Sequence, residues 1–366
     1  MSLERVIISG GGTGGHIYPA IAIAKAIQHQ FPNCDILFIG AKGRMEMDKV
    51  PQAGFQIQGL TIAGFNRKSL LKNWNLPFKI LSSLLGVRSM LKKFKPQVVI
   101  GVGGYASGPT LKMAQWMKIP TVIQEQNSYP GKTNLLLAKK AYAIAVAYDN
   151  MDRFFPQEKI VKTGNPVRTD IMNWRDKKSE GYHFYGLDAS KKTVFIMGGS
   201  LGAKTLNDAV LKQLNAIKNR DDIQVIWQCG STHFPILQQC LLPENLHLFS
   251  FIEKMDLAYA IADVIVSRAG ATSISELSLV AKPTILVPSP NVSEDHQTKN
   301  AKALVEKEAA IMVADAEVSE QLWNRIFMLL EDEKLGERMS DSLHGFALPN
   351  ATNEIVIICT KAIEHE

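Results

Sequence analysis

The stretch Gly10-Gly11-Gly12-Thr13-Gly14-Gly15-His16 follows the apolar run Val6-Ile7-Ile8 and leads into another, Ile17 to Ala24. A glycine turn that feeds a helix exposes backbone N–H groups at the positive end of the helix dipole, where phosphate is held. Gly10, Gly12 and Gly15 satisfy G-x-G-x-x-G, but an NAD site also needs an acid at the end of the second strand. That strand ends Phe38-Ile39-Gly40-Ala41, with Asp35 at its start, which argues against a nicotinamide cofactor. In the first turn of a helix His16 is disfavoured as a cation, so a neutral imidazole able to accept a proton is expected. The plainer alternatives are glycines that only make a tight turn and a histidine that only caps or packs.

Other strand ends carry similar chemistry. Thr193 to Met197 runs into a second glycine turn, Gly198-Gly199-Ser200-Leu201-Gly202-Ala203. The stretch 101–109, GVGGYASGP, follows Val98-Val99-Ile100, and 124–134 offers Glu125, Gln126 and Asn127. Arg168, closing GNPVR, suits bidentate contact with phosphate. The stretch 267–277 sets small hydroxyl residues at a helix start with Glu276 one turn inside, and 288–301 carries Glu294, Asp295, His296 and Gln297. In open α/β sheets such carboxyl-end loops bind ligands. Together they point two sets of loops at one cleft between two domains.

The elements that must position these loops are short apolar strands alternating with helical patterns, the signature of parallel α/β domains. A chain of 366 residues exceeds what one core usually grows to, so two halves are expected, each headed by a glycine turn. Strands are expected near 5–9, 35–39, 97–102, 120–124, 142–147 and 160–163, then 193–197, 223–228, 246–250, 263–267 and 284–288. The first domain is read as 1–163 and the second as 164–349, with 172–192 a polar linker. A final helix, about 350–364, is apolar enough to pack back on the first domain. Cys34, Cys229, Cys240 and Cys359 lack metal or redox spacing and read as reduced, in a cytosolic protein. No secretory signal and no membrane-spanning run are expected.

The net charge of +6 hides an asymmetry: residues 1–162 hold 21 Lys/Arg against 8 Asp/Glu. No acid occurs between Asp48 and Glu125, an interval with 11 Lys/Arg. Within 65–95, Ile80, Leu84, Val87, Leu91 and Phe94 form one helical stripe facing a sheet. Leu70, Leu71, Trp74, Leu76, Leu81 and Leu85 exceed what that stripe needs. The expectation is docking on anionic lipid, the bland alternative being solvated lysines beside a normal core. Nucleic acid is not expected as a partner, since no recognition motif or aromatic interleaving is present.

Taken in order, GGTGGH, GVGGYASGP, QEQN, GNPVR, GGSLGA and SRAGATSISE followed by DHQ resemble the motifs of the MurG family over nearly the whole chain. The resemblance implies a GT-B fold: two Rossmann-like α/β domains facing each other across a cleft. It implies inverting transfer of GlcNAc from UDP-GlcNAc to the 4-hydroxyl of MurNAc in lipid I, giving lipid II for peptidoglycan. It places the enzyme peripherally on the cytoplasmic face of the bacterial inner membrane, in association with other cell-wall synthesis proteins. By the same resemblance Ser200 and Arg168 contact the diphosphate, Ile252 meets the uracil through its backbone, and Glu276 holds the ribose hydroxyls. Ala271, Thr272, Ser273, Ile274 and Ser275 form the helix start facing the phosphates, and Gln297 reads the sugar hydroxyls. Thr13, Gly14, Gly15 and Asn127 complete the donor pocket, while His16 and Glu125 lie near the reacting centre. Gln124 departs from the family, which often has histidine there.

Such a transfer needs a base for the nucleophile, stabilisation of an oxocarbenium-like centre and positive potential at the leaving diphosphate. The helix dipole after the second turn and Arg168 can supply the last without a metal, and no Asp-x-Asp pair stands at a strand end; no cofactor is expected. His16 is the first candidate base and Glu125 the second. Other readings are a glycolipid or natural-product glycosyltransferase, a membrane-docked sensor of the nucleotide sugar, and an NAD oxidoreductase.

Overall fold

The computed structural model describes residues 2–62, 76–199, 201–292 and 295–364. The chain divides into two compact units, one of residues 1–167 with 349–366 and one of residues 168–348. The division falls at Val167/Arg168.

The first unit holds a parallel sheet of β1 (Arg5–Ser9), β2 (Asp35–Ala41), β3 (Gln56–Leu60), β4 (Val98–Gly101), β5 (Thr121–Glu125), β6 (Ala143–Val146) and β7 (Ile160–Lys162). Its order is β3-β2-β1-β4-β5-β6-β7. Its central strands are near-continuous apolar runs because helices cover both faces. Alternate residues of β1 divide between those faces: Val6 and Ile8 join one core cluster, Ile7 the other. Helices α1 (Gly14–Gln30) and α2 (Glu46–Gln52) belong to the first face. The opposite face carries α3 (Leu76–Phe94), α4 (Ser107–Trp116) and α5 (Lys132–Leu137).

The second unit repeats the plan. Strands β8 (Lys192–Met197), β9 (Ile223–Gln228), β10 (Leu246–Phe249), β11 (Val264–Ser267), β12 (Thr284–Leu286) and β13 (Ile311–Met312) run parallel in the order β10-β9-β8-β11-β12-β13. Its helices are α6 (Lys178–Tyr185), α7 (Lys204–Lys212), α8 (Leu214–Lys218), α9 (Phe234–Leu237), α10 (Met255–Ile261), α11 (Ala271–Val280), α12 (His296–Val305), α13 (Val318–Glu331) and α14 (Glu333–His344). The last helix, α15 (Ala351–Glu364), returns to the first unit, where Ile355, Val356 and Cys359 join Ile17, Ile23 and Ile27 of α1. Burial of each such aliphatic side chain contributes roughly 1.5–3 kcal/mol.

Two sequence expectations need correction. Residues 172–192 are not a linker: a 3-10 segment, Thr169–Lys177, runs into α6, and Ile171, Trp174, Tyr182, Tyr185 and Leu187 are buried in the second unit's core. A 3-10 segment broken at Asn173, and the lysines that surround these residues, hide them from a helical reading. The edge strands β3 and β13 also go beyond the expected set, one because glutamines interrupt its apolar pattern, the other because it has two residues.

In each sheet the strand order reverses about its first strand, so β1 lies between β2 and β4, and β8 between β9 and β11. Ligands of open α/β sheets bind outside the carboxyl ends at that switch point. Both glycine turns start there.

Candidate active site

In the first unit two glycine loops interlock. A side chain on Gly104 (φ +85°) would run into the Gly11 carbonyl, and one on Gly103 would meet the His16 ring at 2.9 Å. His16, in the first turn of α1, is half-buried, with Nδ1 3.1 Å from the Gly11 carbonyl and 3.3 Å from Thr13 Oγ1. The carbonyl can only accept, so the proton belongs on Nδ1, and Nε2 is the basic nitrogen of the neutral ring. Thr13 is the N-cap of α1, and Gly14 and Gly15 are its first residues.

Glu125, at the end of β5, is placed differently. Its carboxylate is buried and accepts from Asn127 N (3.0 Å), Asn127 Nδ2 (3.3 Å), Gly131 N (3.1 Å) and Asn134 Nδ2 (2.8 Å). Burial raises its pKa, and those four donors pull it down. The carboxylate therefore ties the 126–134 loop together. Gln124 is fully buried, donating to Asn165 Oδ1 at 2.9 Å and accepting from Gln126, while Asn165 Nδ2 donates to the Gln126 carbonyl. At this position a glutamine completes a closed amide cluster inside the domain.

In the second unit, Gly202 (φ +82°) abuts the Cys229 carbonyl and Gly230, leaving no room for a side chain on either glycine. Gln228, at the end of β9, donates to the Gly199 carbonyl (2.8 Å) and accepts from Ile252 N (3.4 Å). It thus couples the turn to the segment holding Ile252. Ser200 lies outside the described residues.

Glu276, buried on α11, accepts from Tyr259 OH (3.1 Å) and faces Arg168 Nε at 3.5 Å. Tyr259 OH also touches Met197 Sδ, the residue before the turn. Burial raises the pKa of Glu276, opposed first by the Arg168 charge. Arg168 thus pairs with this carboxylate within its own unit. Residues at the start of α11 play different parts. Ile274 belongs to the core, Ser275 Oγ bonds back to the Ala271 carbonyl, and Thr272 Oγ1 is buried with no partner among the described residues. Ser273, beside it, is half-buried. Gln297 Oε1 accepts from Ser289 N (2.8 Å) and so fixes the loop after β12.

Sequence reasoning missed Gln228, Tyr259 and Arg268. The guanidinium of Arg268 bonds Asp315, Thr205 Oγ1 and the Val287 carbonyl, clamping the start of α7, the loop after β12 and the turn after β13 together. The glutamine that ends the strand Ile223–Gln228, where a carboxyl-end loop begins, was an available signal.

On the first unit's opposite face, Val87 and Leu91 of α3 are buried, whereas Leu81 and Leu85 are each 56% exposed. Trp116 (54%) and Leu136 (83%) lie on the adjoining α4 and α5, with Arg88, Lys92, Lys139 and Lys140 exposed nearby in sequence. Leu70, Leu71, Lys72, Trp74 and the side chains at 76–80 are outside the described residues. Among the described residues no helix is long and apolar enough to cross a membrane.

Comparison with known proteins places the fold in a family. Residues 6–146 match the N-terminal domain of glycosyltransferase family 28, and residues 193–355 match its C-terminal domain. A protein of Flavobacterium psychrophilum is 50% identical over 366 residues, covering 100% of each chain, and one of Cytophaga hutchinsonii is 54% identical over 353 residues, covering 96% of this chain and 95% of its own. Both are named UDP-N-acetylglucosamine–N-acetylmuramyl-(pentapeptide) pyrophosphoryl-undecaprenol N-acetylglucosamine transferase. The crystal structure of Acinetobacter baumannii MurG superposes with a TM-score of 0.75 at 30% identity, covering 98% of this chain and 99% of its own. A UDP-GlcNAc 2-epimerase from Neisseria meningitidis, 16% identical with a TM-score of 0.68 and covering 98% and 100% of the two chains, shares the fold alone. With both domains matched in order and relatives about half identical along its whole length, this chain belongs to glycosyltransferase family 28.

Proposed function

We propose that the chain transfers GlcNAc from UDP-GlcNAc to the 4-hydroxyl of MurNAc in lipid I, with inversion, to give lipid II on the cytoplasmic face of a bacterial cell membrane. The observation that carries this reading is Glu276, a buried carboxylate held between Tyr259 and Arg168 at the switch point of the second sheet. A carboxylate there is built to accept the two ribose hydroxyls of a nucleotide, and its own unit supplies most of the donor site.

In this reading Ile252 meets the uracil and Gln297 the sugar hydroxyls. Ser200, Arg168 and the start of α11 from Ala271 to Ser275, with the hydroxyls of Thr272 and Ser273, hold the diphosphate as it leaves. Backbone N–H groups and a cation there offset the developing negative charge. From the first unit, Thr13, Gly14, Gly15 and Asn127 contact the donor sugar. His16 Nε2 takes the proton of the acceptor hydroxyl as the new glycosidic bond forms and the bond to UDP breaks. Support for His16 comes from the Gly11 carbonyl fixing its tautomer. Glu125, with four N–H donors from its own loop, acts by holding Asn127.

The acceptor carries a polyprenyl chain, so the enzyme must work at a lipid surface. The exposed Leu81, Leu85, Trp116 and Leu136, set among cations, are the docking face of this proposal. The test is transfer of labelled GlcNAc to lipid I in mixed micelles, with natural-product aglycones offered in parallel. Label in lipid II is expected; bound donor with transfer at background would overturn the reading.

A further inference from the structure

The first glycine turn resembles a phosphate cradle, yet its cradle is filled from within. Glu46, the first residue of α2, is 1% exposed, and its Oε2 accepts from Gly12 N at 2.9 Å. Its Oε1 accepts from Ala41 N at 3.0 Å. The carboxyl group lies directly against the Cα of Gly11, where a Cβ would come within 2.2 Å of Glu46 Cδ, and a Cβ on Gly40 would come within 2.6 Å of Glu46 Cγ. Gly11 and Gly40 therefore lack side chains because this glutamate occupies that space. Gly12 is the second glycine of G-x-G-x-x-G, whose backbone approaches the pyrophosphate in a dinucleotide site.

We infer that Glu46 is an internal anion in the phosphate seat of the first glycine turn, a positioning residue that closes Gly12 N to phosphate and sets the turn to present His16 instead. The chain of contacts is short. Glu46 fixes Gly11 and Gly12, and the Gly11 carbonyl orients the His16 imidazole through Nδ1. A diphosphate brought to this seat would meet a buried carboxylate already using the donor it needs, and like charges repel strongly where water is excluded. The assignment rests on the proposed transfer for its kinetic part but not for its binding part. It implies that the diphosphates of donor and acceptor are held elsewhere.

The test uses the full chain with Glu46→Gln and Glu46→Ala. The amide keeps the shape of the glutamate but sets an NH2 against a backbone N–H, which cannot pair. Expected for Glu46→Gln is a fall in kcat of tenfold or more, with KM for UDP-GlcNAc within about twofold of wild type. Expected for Glu46→Ala is recovery of part of kcat when acetate is added, as the small carboxylate re-enters the seat. Binding is read separately by calorimetry with inorganic pyrophosphate, UDP being present at saturation to cover the donor site. Glu46→Ala should gain a pyrophosphate site that wild type lacks. A folded Glu46→Gln with wild-type kcat, or equal pyrophosphate binding by wild type and Glu46→Ala, would overturn the inference. If Glu46→Ala does not fold, Glu46→Gln carries the readout, and a folded Glu46→Gln with wild-type kcat remains sufficient to refute the role of Glu46. Failure of wild type to bind UDP-GlcNAc would sink the proposed transfer instead, leaving the pyrophosphate comparison to decide the role of Glu46.

Discussion

The two glycine turns begin alike and end with opposite characters. Each follows the first strand of its sheet at the switch point, and each is pressed on by a glycine of a neighbouring loop. In the second unit the neighbour after β9 is backbone, Gly230 against Gly202, and the flank beyond β11 is a clamped ion pair, Arg268 with Asp315. In the first unit the corresponding neighbour, after β2, contributes the Glu46 carboxylate, while the flank beyond β4 is bare glycine against the His16 ring. In the proposed function one motif thus serves a leaving diphosphate in one unit and a base in the other. What surrounds the glycines decides the chemistry.

The largest effect should come from breaking the basic turn. His16→Ala is expected to lower kcat by roughly 100- to 10,000-fold, the usual range for a positioned base. Donor affinity, measured by calorimetry with UDP-GlcNAc, should be unchanged, since the proposed function assigns the donor chiefly to the other unit. Retained turnover would remove His16 from the reaction and leave the two turns without their contrast.

Breaking the donor turn should show in binding. A hydrogen bond to a charged group is worth about 1.5–3 kcal/mol, so Glu276→Ala should weaken UDP-GlcNAc by roughly 10- to 150-fold. The same group predicts a pH dependence. Its carboxyl is held above the ordinary range by burial, and the ribose hydroxyls need the ionised form. Donor affinity should therefore fall as pH drops through that raised pKa, and Glu276→Gln should abolish the slope. An acid with a raised folded pKa also binds more protons folded than unfolded, so its stability contribution is present at low pH and lost as pH rises through the folded value.

Glu125→Gln separates a base from a brace. With four N–H donors around the carboxylate, an amide leaves at least one donor facing another, a cost of about 1–3 kcal/mol to the folded state. Urea unfolding followed by a probe in the first unit should shift by that amount, with kcat lowered less than tenfold. A hundredfold loss of kcat without loss of stability would make Glu125 the base.

Much of this was legible because it is local. All the strands but the edge pair β3 and β13, both glycine turns and the hydroxyl-rich start of α11 follow from short runs of residue types, and the switch point follows from the βα alternation. What escaped is non-local. Glu46 reaches Gly12 across 34 residues of sequence, and Arg268 reaches Asp315 across 47. Nothing in the run Arg44-Met45-Glu46-Met47 marks a buried acid; the mark is the pair of glycines it packs against. The helical stretch 169–185 escaped for another reason, since a 3-10 segment joined to a short α-helix has no single period for a pattern to reveal.

The smallest expected effect concerns the face proposed to dock on lipid. Leu81 and Leu85 are more than half exposed on α3, so replacing both with glutamate removes little buried area and should leave the thermal transition nearly unchanged. Each substitution nonetheless takes an apolar contact from the bilayer boundary and adds a charge that anionic headgroups repel, about 1 kcal/mol per charge near the surface. Sedimentation with vesicles rich in anionic lipid should fall several-fold, and turnover on lipid I in vesicles should fall with it. Turnover on a short-chain, water-soluble acceptor should hold. If both acceptors lose equally, the two leucines serve the reaction itself; if neither does, the membrane meets another face.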